Sequence, residues 1–326
     1  MNRLEDFAHI FAGVEPFCGE VPEGYIVDFM GILTDARFRE MFGVNPANVR
    51  GGQVRTELPR LNGKENGEDF IERANWFAAA RAARERFVMI TLGACYGAQA
   101  VGSARALQLV NPMPYKLVAV EGDPENCQWI VRHMRDNGID PDRQWLVEAA
   151  ISDHNAPVLF PVGSPGTGAQ NCVATNEDVS REVYADELIG SGRAEEALRS
   201  LLVNNSTGIT KDLVPGRNFS AEIKFVSAVT LKDILGPFDL VDYLESDIQQ
   251  SEILVFPPFM DVLKRKVRRV HIGTHGRDVH RVLHDMFKRQ GWEMVFSYEP
   301  NAEHDSALGQ FTTNDGLLTV RNPDLS

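Results

Sequence analysis

The stretch FVMITLGACYG, residues Phe87 to Gly97, decides the fold. Six residues run apolar almost without a break and then meet a glycine. That is the pattern of a strand buried on both faces, as in a parallel sheet. Outward from the turn, AQAVGSARALQLV (Ala98 to Val110) reads as a helix, and KLVAVEGD (Lys116 to Asp123) as a second strand. A helix follows. Asp123 is placed to cap it, Pro124 to occupy its first turn, and Gly138 to follow its end. Its apolar residues Cys127, Ile130, Val131 and Met134 share one face. QWLVEAAISD (Gln144 to Asp153) supplies a third strand. Strands alternating with helices in this order predict an α/β fold, with a doubly wound, Rossmann-like sheet and right-handed crossovers.

The remainder extends that plan. DLVDYLESD (Asp239 to Asp247) reads as the fourth strand and RRVHIGTH (Arg268 to His275) as the fifth. Asp278 then caps a helix with an apolar stripe of Val279, Val282, Leu283, Met286 and Phe287, stopped by Gly291. Trp292 to Glu299 and Gly309 to Pro323 read as closing strands, the latter containing a tight turn at Asn314-Asp315-Gly316. Residues 1–86 read as a helical N-terminal cap on the substrate side, with a helix over Ile71 to Arg86. Residues 87–326 form the catalytic domain. A long insertion at about 155–228 precedes the fourth strand, as a lid, a binding loop or a disordered segment. Within it, Ser164 to Cys172 and Val203 to Asn218 are loop-like, and Asp186 to Leu202 can hold helix.

Composition narrows the function classes. Hydrophobic residues make up 43% and charged residues 24%, as in a globular protein, and the formal net charge is −13. An acidic surface repels a phosphate backbone, which speaks against a nucleic-acid substrate. The basic run LKRKVRRV (Leu263 to Val270) reads as a helix C-terminus leading into a strand, its cations near the negative helix end. Cys18, Cys95, Cys127 and Cys172 form no C-x-x-C pair, so a reducing cytoplasm is expected and a structural zinc is not. The N-terminus lacks a signal-peptide pattern, and no run reaches membrane-span length. No membrane partner is expected; a homo-oligomer is compatible with the sequence.

The glycine turn fits either tight strand–helix packing or close backbone approach to a ligand at a helix N-terminus. Glu121, at the carboxyl end of the second strand, adds a second element. An acid there can accept hydrogen bonds from ribose hydroxyls. Turn and acid together imply an adenosine cofactor. The dinucleotide pattern G-x-G-x-x-G is absent, because Cys95 stands where its second glycine would be. That glycine admits a pyrophosphate, which S-adenosylmethionine (SAM) lacks.

Several segments in shared order resemble the FkbM-type methyltransferase family. They are Val27 to Asp35, Met89 to Gly97, Val118 to Pro124, His133 to Asp140, Ala149 to Asp153, Tyr243 to Glu252, Arg269 to His280 and Asp315 to Pro323. The resemblance covers about Tyr25 to Pro323. It implies a class I methyltransferase fold that uses SAM. It implies Gly93, Ala94 and Gly97 against the methionine part, Glu121 with Gly122 at the ribose, and Ala150 with Ile151 near the adenine. One departure concerns Thr91. The family commonly has an acid there, two residues before the first glycine, to help hold the methionine amine.

The acceptor side is read from the ends of the fourth and fifth strands. Methyl transfer needs an aligned nucleophile and a base for its proton. His275 is the candidate base, Asp247 the residue that orients it or the acceptor, and His271 a further candidate. Each also fits a structural role: His271 as a core histidine, His275 as a strand-end backbone partner, Asp247 as a helix cap. Asp247, Glu252 and His275 form a candidate magnesium or manganese site. Trp76 and Phe77 fit either a cover over the site or core packing, and Gln170 either an adenine contact or a solvated loop. The resemblance implies O-methylation of a hydroxyl on a small-molecule or natural-product acceptor. N-methylation of an amine or amide of a peptide or small molecule, SAM binding without catalysis, and a nucleotide-dependent oxidoreductase are the rivals.

Overall fold

A computed structural model gives the architecture, described for residues 4–39, 44–61, 67–162, 222–249 and 251–325. Seven strands make the central sheet: β1 (Phe87–Leu92), β2 (Tyr115–Glu121), β3 (Trp145–Glu148), β4 (Tyr243–Ser246), β5 (Arg269–Thr274), β6 (Glu293–Tyr298) and β7 (Gly316–Arg321). Their spatial order is β3-β2-β1-β4-β5-β7-β6. The first five are parallel, and β7 runs antiparallel between β5 and β6. This order, with a single reversed strand inserted near one edge, is the class I methyltransferase fold.

Alternation along β1 assigns the two faces. Phe87 and Met89 join a core with α1 (Glu68–Ala82), α2 (Ala98–Val110) and α3 (Pro124–Asp136). Val88, Ile90 and Leu92 join the opposite core with α4 (Leu231–Leu235), α6 (Met260–Lys266) and α7 (Arg277–Arg289). Both faces of the sheet are therefore covered, which is why its parallel strands read as unbroken apolar runs. Between α6 and the short α5 (Glu252–Val255), Pro257–Phe259 takes a 3-10 turn. Proline supplies no N–H there, so the α-helix breaks and restarts.

The α3 signals match the expectation. Asp123 accepts from the N–H groups of Glu125 (2.7 Å) and Asn126 (3.4 Å), and Gly138 follows with φ +70°. The start of α7 differs. Gly276 is its N-cap, with φ +117°, and Asp278 sits inside the first turn, ion-paired with Arg281 at 2.9 Å. The third strand is split. Trp145–Glu148 joins the sheet, while Ala150–Ile151 pairs in parallel with Ala228–Val229. The turn at Asn314-Asp315 separates β7 from a strand Gly309–Thr313, which pairs with Ala302–Ser306 in a hairpin outside the main sheet.

In the front section the α-helix among the described residues is α1. Short antiparallel pairs, Cys18–Val21 with Gly52–Arg55 and Tyr25–Val27 with Leu33–Asp35, make up much of the rest. Leu4, Phe7, Phe11 and Phe29 of this section join the core beneath β1. Of the insertion, Val158–Val162 and Glu222–Val226 form an antiparallel pair. The loops and helix expected between residues 163 and 221, and Gln170 and Cys172 with them, lie outside the described residues. Among the described residues no helix is long and apolar enough to cross a membrane.

Phe77 ties the front section to the sheet. It is fully buried, with its ring 5.2 Å from that of Phe11 and 6.2 Å from that of Phe29. Phe77→Ala is expected to cost about 3–5 kcal/mol of stability. Chemical denaturation monitored by circular dichroism measures it.

Candidate active site

The switch from β1 to β4 places the glycine turn. In β1–α2 the N–H groups of Gly93 and Ala94 both donate to the Val120 carbonyl at 3.0 Å, pinning the turn to β2. Gly93 takes φ +74°, and a Cβ there would fall on the carbonyl oxygen of Asp247. Only glycine satisfies both demands. Cys95 also has a positive φ, +51°, a conformation uncommon for a residue with a side chain. Its N–H donates to Glu121 Oε2 at 2.7 Å, so the strained residue is held by the acid of the next strand. Gly97, φ +84°, is the N-cap of α2.

Glu121 is buried, 4% exposed, and its Oε1 accepts the Asp123 N–H at 2.8 Å. Burial pushes its carboxyl up to about 7 against the pull of these backbone donors. Around it lies a cleft at the carboxyl ends of β1, β2 and β4, where an open α/β sheet binds ligands. Gly93, Glu121, Gly122, Ala150 and Ile151, all expected from the sequence, line it. Thr91, Ala94 and Gly97 are not among its lining residues. Thr91 and Ala94 are buried at 1% and 0% exposure, and Gly97 shapes the helix start behind the turn. Asn126, Phe160 and Ile248 line the cleft without having been read from the sequence. Phe160 closes over Gly122, where a Cβ would press on its ring. The donor set fits an adenosyl group: a carboxylate for a diol, and apolar Ala150, Ile151 and Phe160 for a flat base.

Asp247 lines the same cleft and also meets His275. His275 Nε2 lies 3.3 Å from Asp247 Oδ1 and 3.6 Å from Asp315 Oδ1. The Gln249 amide contacts both Asp247 Oδ1 (2.9 Å) and His275 Nε2 (2.7 Å). On the other side of the ring, Nδ1 has no hydrogen-bond partner and faces Glu252 Oε1 at 3.9 Å. Glu252 is fully buried, its Oε1 accepts the Ile248 N–H at 3.0 Å, and its Oε2 is unpartnered. Burial holds Glu252 up to about 7. For His275, burial lowers the pKa, but Asp247, Asp315, Glu252 and Glu68 outweigh it and keep it above the ordinary value. Glu68, at the start of α1, accepts the N–H groups of Asn314 and Asp315 at 2.8 Å each and so fixes Asp315 beside the ring. Asp315 and Glu68 were not singled out in the sequence, because they are distant from the strand ends along the chain.

The sequence-level metal set is not gathered at one point. Asp247 and Glu252 lie off opposite nitrogens of one imidazole, so an ion bound at either nitrogen is turned away from the other carboxylate. Asp247 is not the cap of α5 either, since Ser251 holds that position. His271 stands apart from His275. It is 1% exposed in β5, faces α1, and its Nδ1 meets Thr319 Oγ1 at 2.7 Å. His280 is buried between Thr274 and Ser297, and His284 pairs with Asp285. Trp76 and Phe77 pack in the core beneath the sheet rather than over the cleft; Trp76 Nε1 donates to Glu245 Oε2 at 3.1 Å.

Comparison with known proteins finds distant similarities. No family model matches the chain. It is similar to a putative methyltransferase of Jannaschia sp. (strain CCS1), 25% identical over 261 residues, covering 77% of this chain and 79% of that protein. Among solved structures it is similar to methyltransferase FkbM from Methylobacillus flagellatus KT, with 11% identity, 73% of this chain and 45% of that one covered, and a TM-score of 0.39. It is also similar to precorrin-6y C5,15-methyltransferase from Geobacter metallireducens GS-15, with 9% identity, coverage of 77% and 87%, and a TM-score of 0.35. At these values the fold assignment rests on the chain's own strand order.

Gly93→Ala tests the turn. Positive φ and the Asp247 carbonyl both oppose a methyl group there, so a loss of about 1–3 kcal/mol in stability is expected. SAM affinity is expected to fall with it, measured by calorimetry on protein that circular dichroism shows to be folded.

Proposed function

We propose that the chain is a SAM-dependent methyltransferase in which His275 takes the acceptor's proton. One observation carries the reading: Asp247 lines the cleft beside Gly93 and Glu121 and is also in contact with His275. Cofactor cleft and base therefore share a wall. Glu121 would hold the ribose, Gly93 and the turn the methionine part, and Ala150, Ile151 and Phe160 the adenine. SAM supplies an electrophilic methyl group on a sulfonium, whose leaving group departs neutral.

The chain's own work is alignment and proton removal. The Gln249 amide donates to the Nε2 lone pair of His275 and so keeps the ring proton on Nδ1, facing Glu252; the acceptor's hydroxyl would take the place of this amide at Nε2. Glu252 behind the ring then acts as an orienting carboxylate, as in other histidine bases. The base abstracts the acceptor proton at Nε2 as the methyl group moves in line. Asp247 and Asp315 flank that nitrogen with side chains 43% and 40% exposed, in reach of an acceptor.

We take the acceptor group to be a hydroxyl of a small or natural-product-like molecule, in keeping with the FkbM-type segments of the sequence. The acidic ring excludes anionic acceptors by like-charge repulsion. It also favours a second reading, transfer to an amine nitrogen, because an ammonium group would be drawn between Asp247 and Asp315. The front section, residues 1–86, forms the acceptor-side wall in this reading, through Glu68 of α1.

Two measurements test the reading. Calorimetry is expected to show binding of SAM and not of NAD; tight NAD binding without SAM binding sinks it. With SAM and an acceptor panel of neutral alcohols and amines, His275→Ala is expected to lower kcat by about 10²–10⁴-fold. The base must be unprotonated, and its pKa is raised above the ordinary histidine value of 6.5. Activity is therefore expected to be lost as pH falls through an apparent pKa above 6.5, and Asp247→Asn to move that limb to lower pH. A limb unmoved by Asp247→Asn and by Asp315→Asn would assign the proton to another group.

A further inference from the structure

A second titratable cluster lies outside the lining of the cleft, in the core beneath α1. Register aligns Thr91, Glu245, His271 and Thr319 in one row across β1, β4, β5 and β7. Odd-numbered residues of these strands face α1, so the row points into the core beneath that helix. There Glu72 of α1 meets it. Glu72, Glu245 and His271 each offer one ligand atom, all within 4.8 Å of one another.

We propose that Glu72, Glu245 and His271 form a binding site for one divalent transition cation, of the manganese or zinc class, which joins α1 to β4 and β5. Three features point to a ion rather than to ordinary packing. First, Tyr243 on the same face of β4 is fully buried, its hydroxyl has no hydrogen-bond partner, and it is set beside Glu245 and Glu72. Its O–H is directed at Glu245 without reaching full hydrogen-bond geometry, and its oxygen lone pairs meet no donor; a cation held by Glu245 and Glu72 would lie beside them. Second, His271 is already oriented. Thr319 Oγ1 lies 2.7 Å and Asn75 Nδ2 3.3 Å from its Nδ1, and Asn75 also donates to Thr319 Oγ1 at 3.0 Å. The tautomer that gives its Nδ1 proton to Thr319 leaves the Nε2 lone pair free, the arrangement by which metal-binding histidines are fixed from behind. Third, a dication answers the buried charge. With their protons displaced, two carboxylates and a neutral imidazole carry −2, of which Arg73 beside Glu72 offsets a part, and burial makes the remainder costly without a cation. The mixed nitrogen and carboxylate donors favour manganese or zinc over calcium or magnesium. Glu245 keeps one further hydrogen bond, from Trp76 Nε1 to Oε2, and Glu72 is the half-buried member through which the site is reached.

The site is read without any methyl transfer, so its test stands apart from the proposed activity. The full chain is stripped with a chelator and titrated with MnCl2 or ZnCl2. One equivalent is expected to bind, with a rise in Tm of a few degrees at saturating metal. Glu72→Gln, a neutral isostere at the half-buried position, is expected to abolish binding and the Tm shift. Asp247→Asn, at the cleft, is expected to retain both. The proposal is overturned if neither metal shifts Tm, in which case the carboxylates share protons instead. It is equally overturned if Asp247→Asn loses the shift and Glu72→Gln keeps it. Should Glu72→Gln not fold, crystals of the unaltered protein soaked in MnCl2 decide: an anomalous peak between Glu72, Glu245 and His271 is expected, and its absence there overturns the site.

Discussion

The contact between Gly93 and the Asp247 carbonyl is the constraint on which the site depends. β1 and β4 are neighbours in the sheet but are separated by about half the chain. On one side of this seam the strands run β1, β2, β3, and on the other β4, β5, so the crossovers leave in opposite directions and a crevice opens between them. Asp247 N donates to the Leu92 carbonyl at 3.0 Å, which carries the pairing one residue past the strand end. With no side chain on Gly93, Asp247 is drawn against the turn. Its carboxylate then stands between the cleft lined by Glu121 and the ring of His275. A larger residue at 93 would push the two strand ends apart and separate the Glu121 side of the cleft from His275 in one step.

Much of the fold was legible because its signals are local. A buried parallel strand reads as an apolar run, and α3 declares itself through Asp123, Pro124 and Gly138. Five residues of the cleft lining were legible for the same reason: Gly93, Glu121, Gly122, Ala150 and Ile151 sit at strand ends that the pattern locates. What stayed hidden depends on contacts far apart in the chain. Asp315 reaches His275 because Glu68, nearly 250 residues earlier, holds the backbone of its turn. Phe160 reaches the cleft from a strand pair that flanks the insertion, where no periodic signal announces a role. Of the two readings of His271, the structure matches the core histidine: four residues before His275, it lies inside β5, while His275 stands just past the strand end.

Strand alternation also accounts for Thr91. A carboxylate is missing from β1 at this position, yet Glu245 is its direct cross-strand partner in β4. The acid lies one strand over, in a row that continues through His271 to Thr319. Such a row is costly in a sheet core unless every polar atom finds a counterpart. Thr319, Asn75 and Trp76 supply several of them. The Tyr243 hydroxyl and the two carboxylates facing it are left over, and burial holds both Glu72 and Glu245 well above the ordinary carboxylate range. The sheet is therefore polar along one line on its α1 side, among the apolar side chains of that core.

The carboxylates around His275 act in two opposed ways. By raising its pKa they make it a stronger base, and by the same effect they keep it protonated near neutral pH, where a protonated ring removes nothing. A positive charge entering the cleft resolves the conflict. Whether carried by a sulfonium or by an ammonium on the acceptor, it offsets Asp247 and Asp315, whose side chains are exposed enough to meet it. Glu252, buried behind the ring and 3.9 Å from Nδ1, is beyond its direct reach. In the proposed reaction the pKa of His275 would then fall as the site fills, and Nε2 would lose its proton when a substrate is present to use it. Under the proposed mechanism, an acidic ring around a single histidine would thus couple charge recognition to activation of the base with the same side chains.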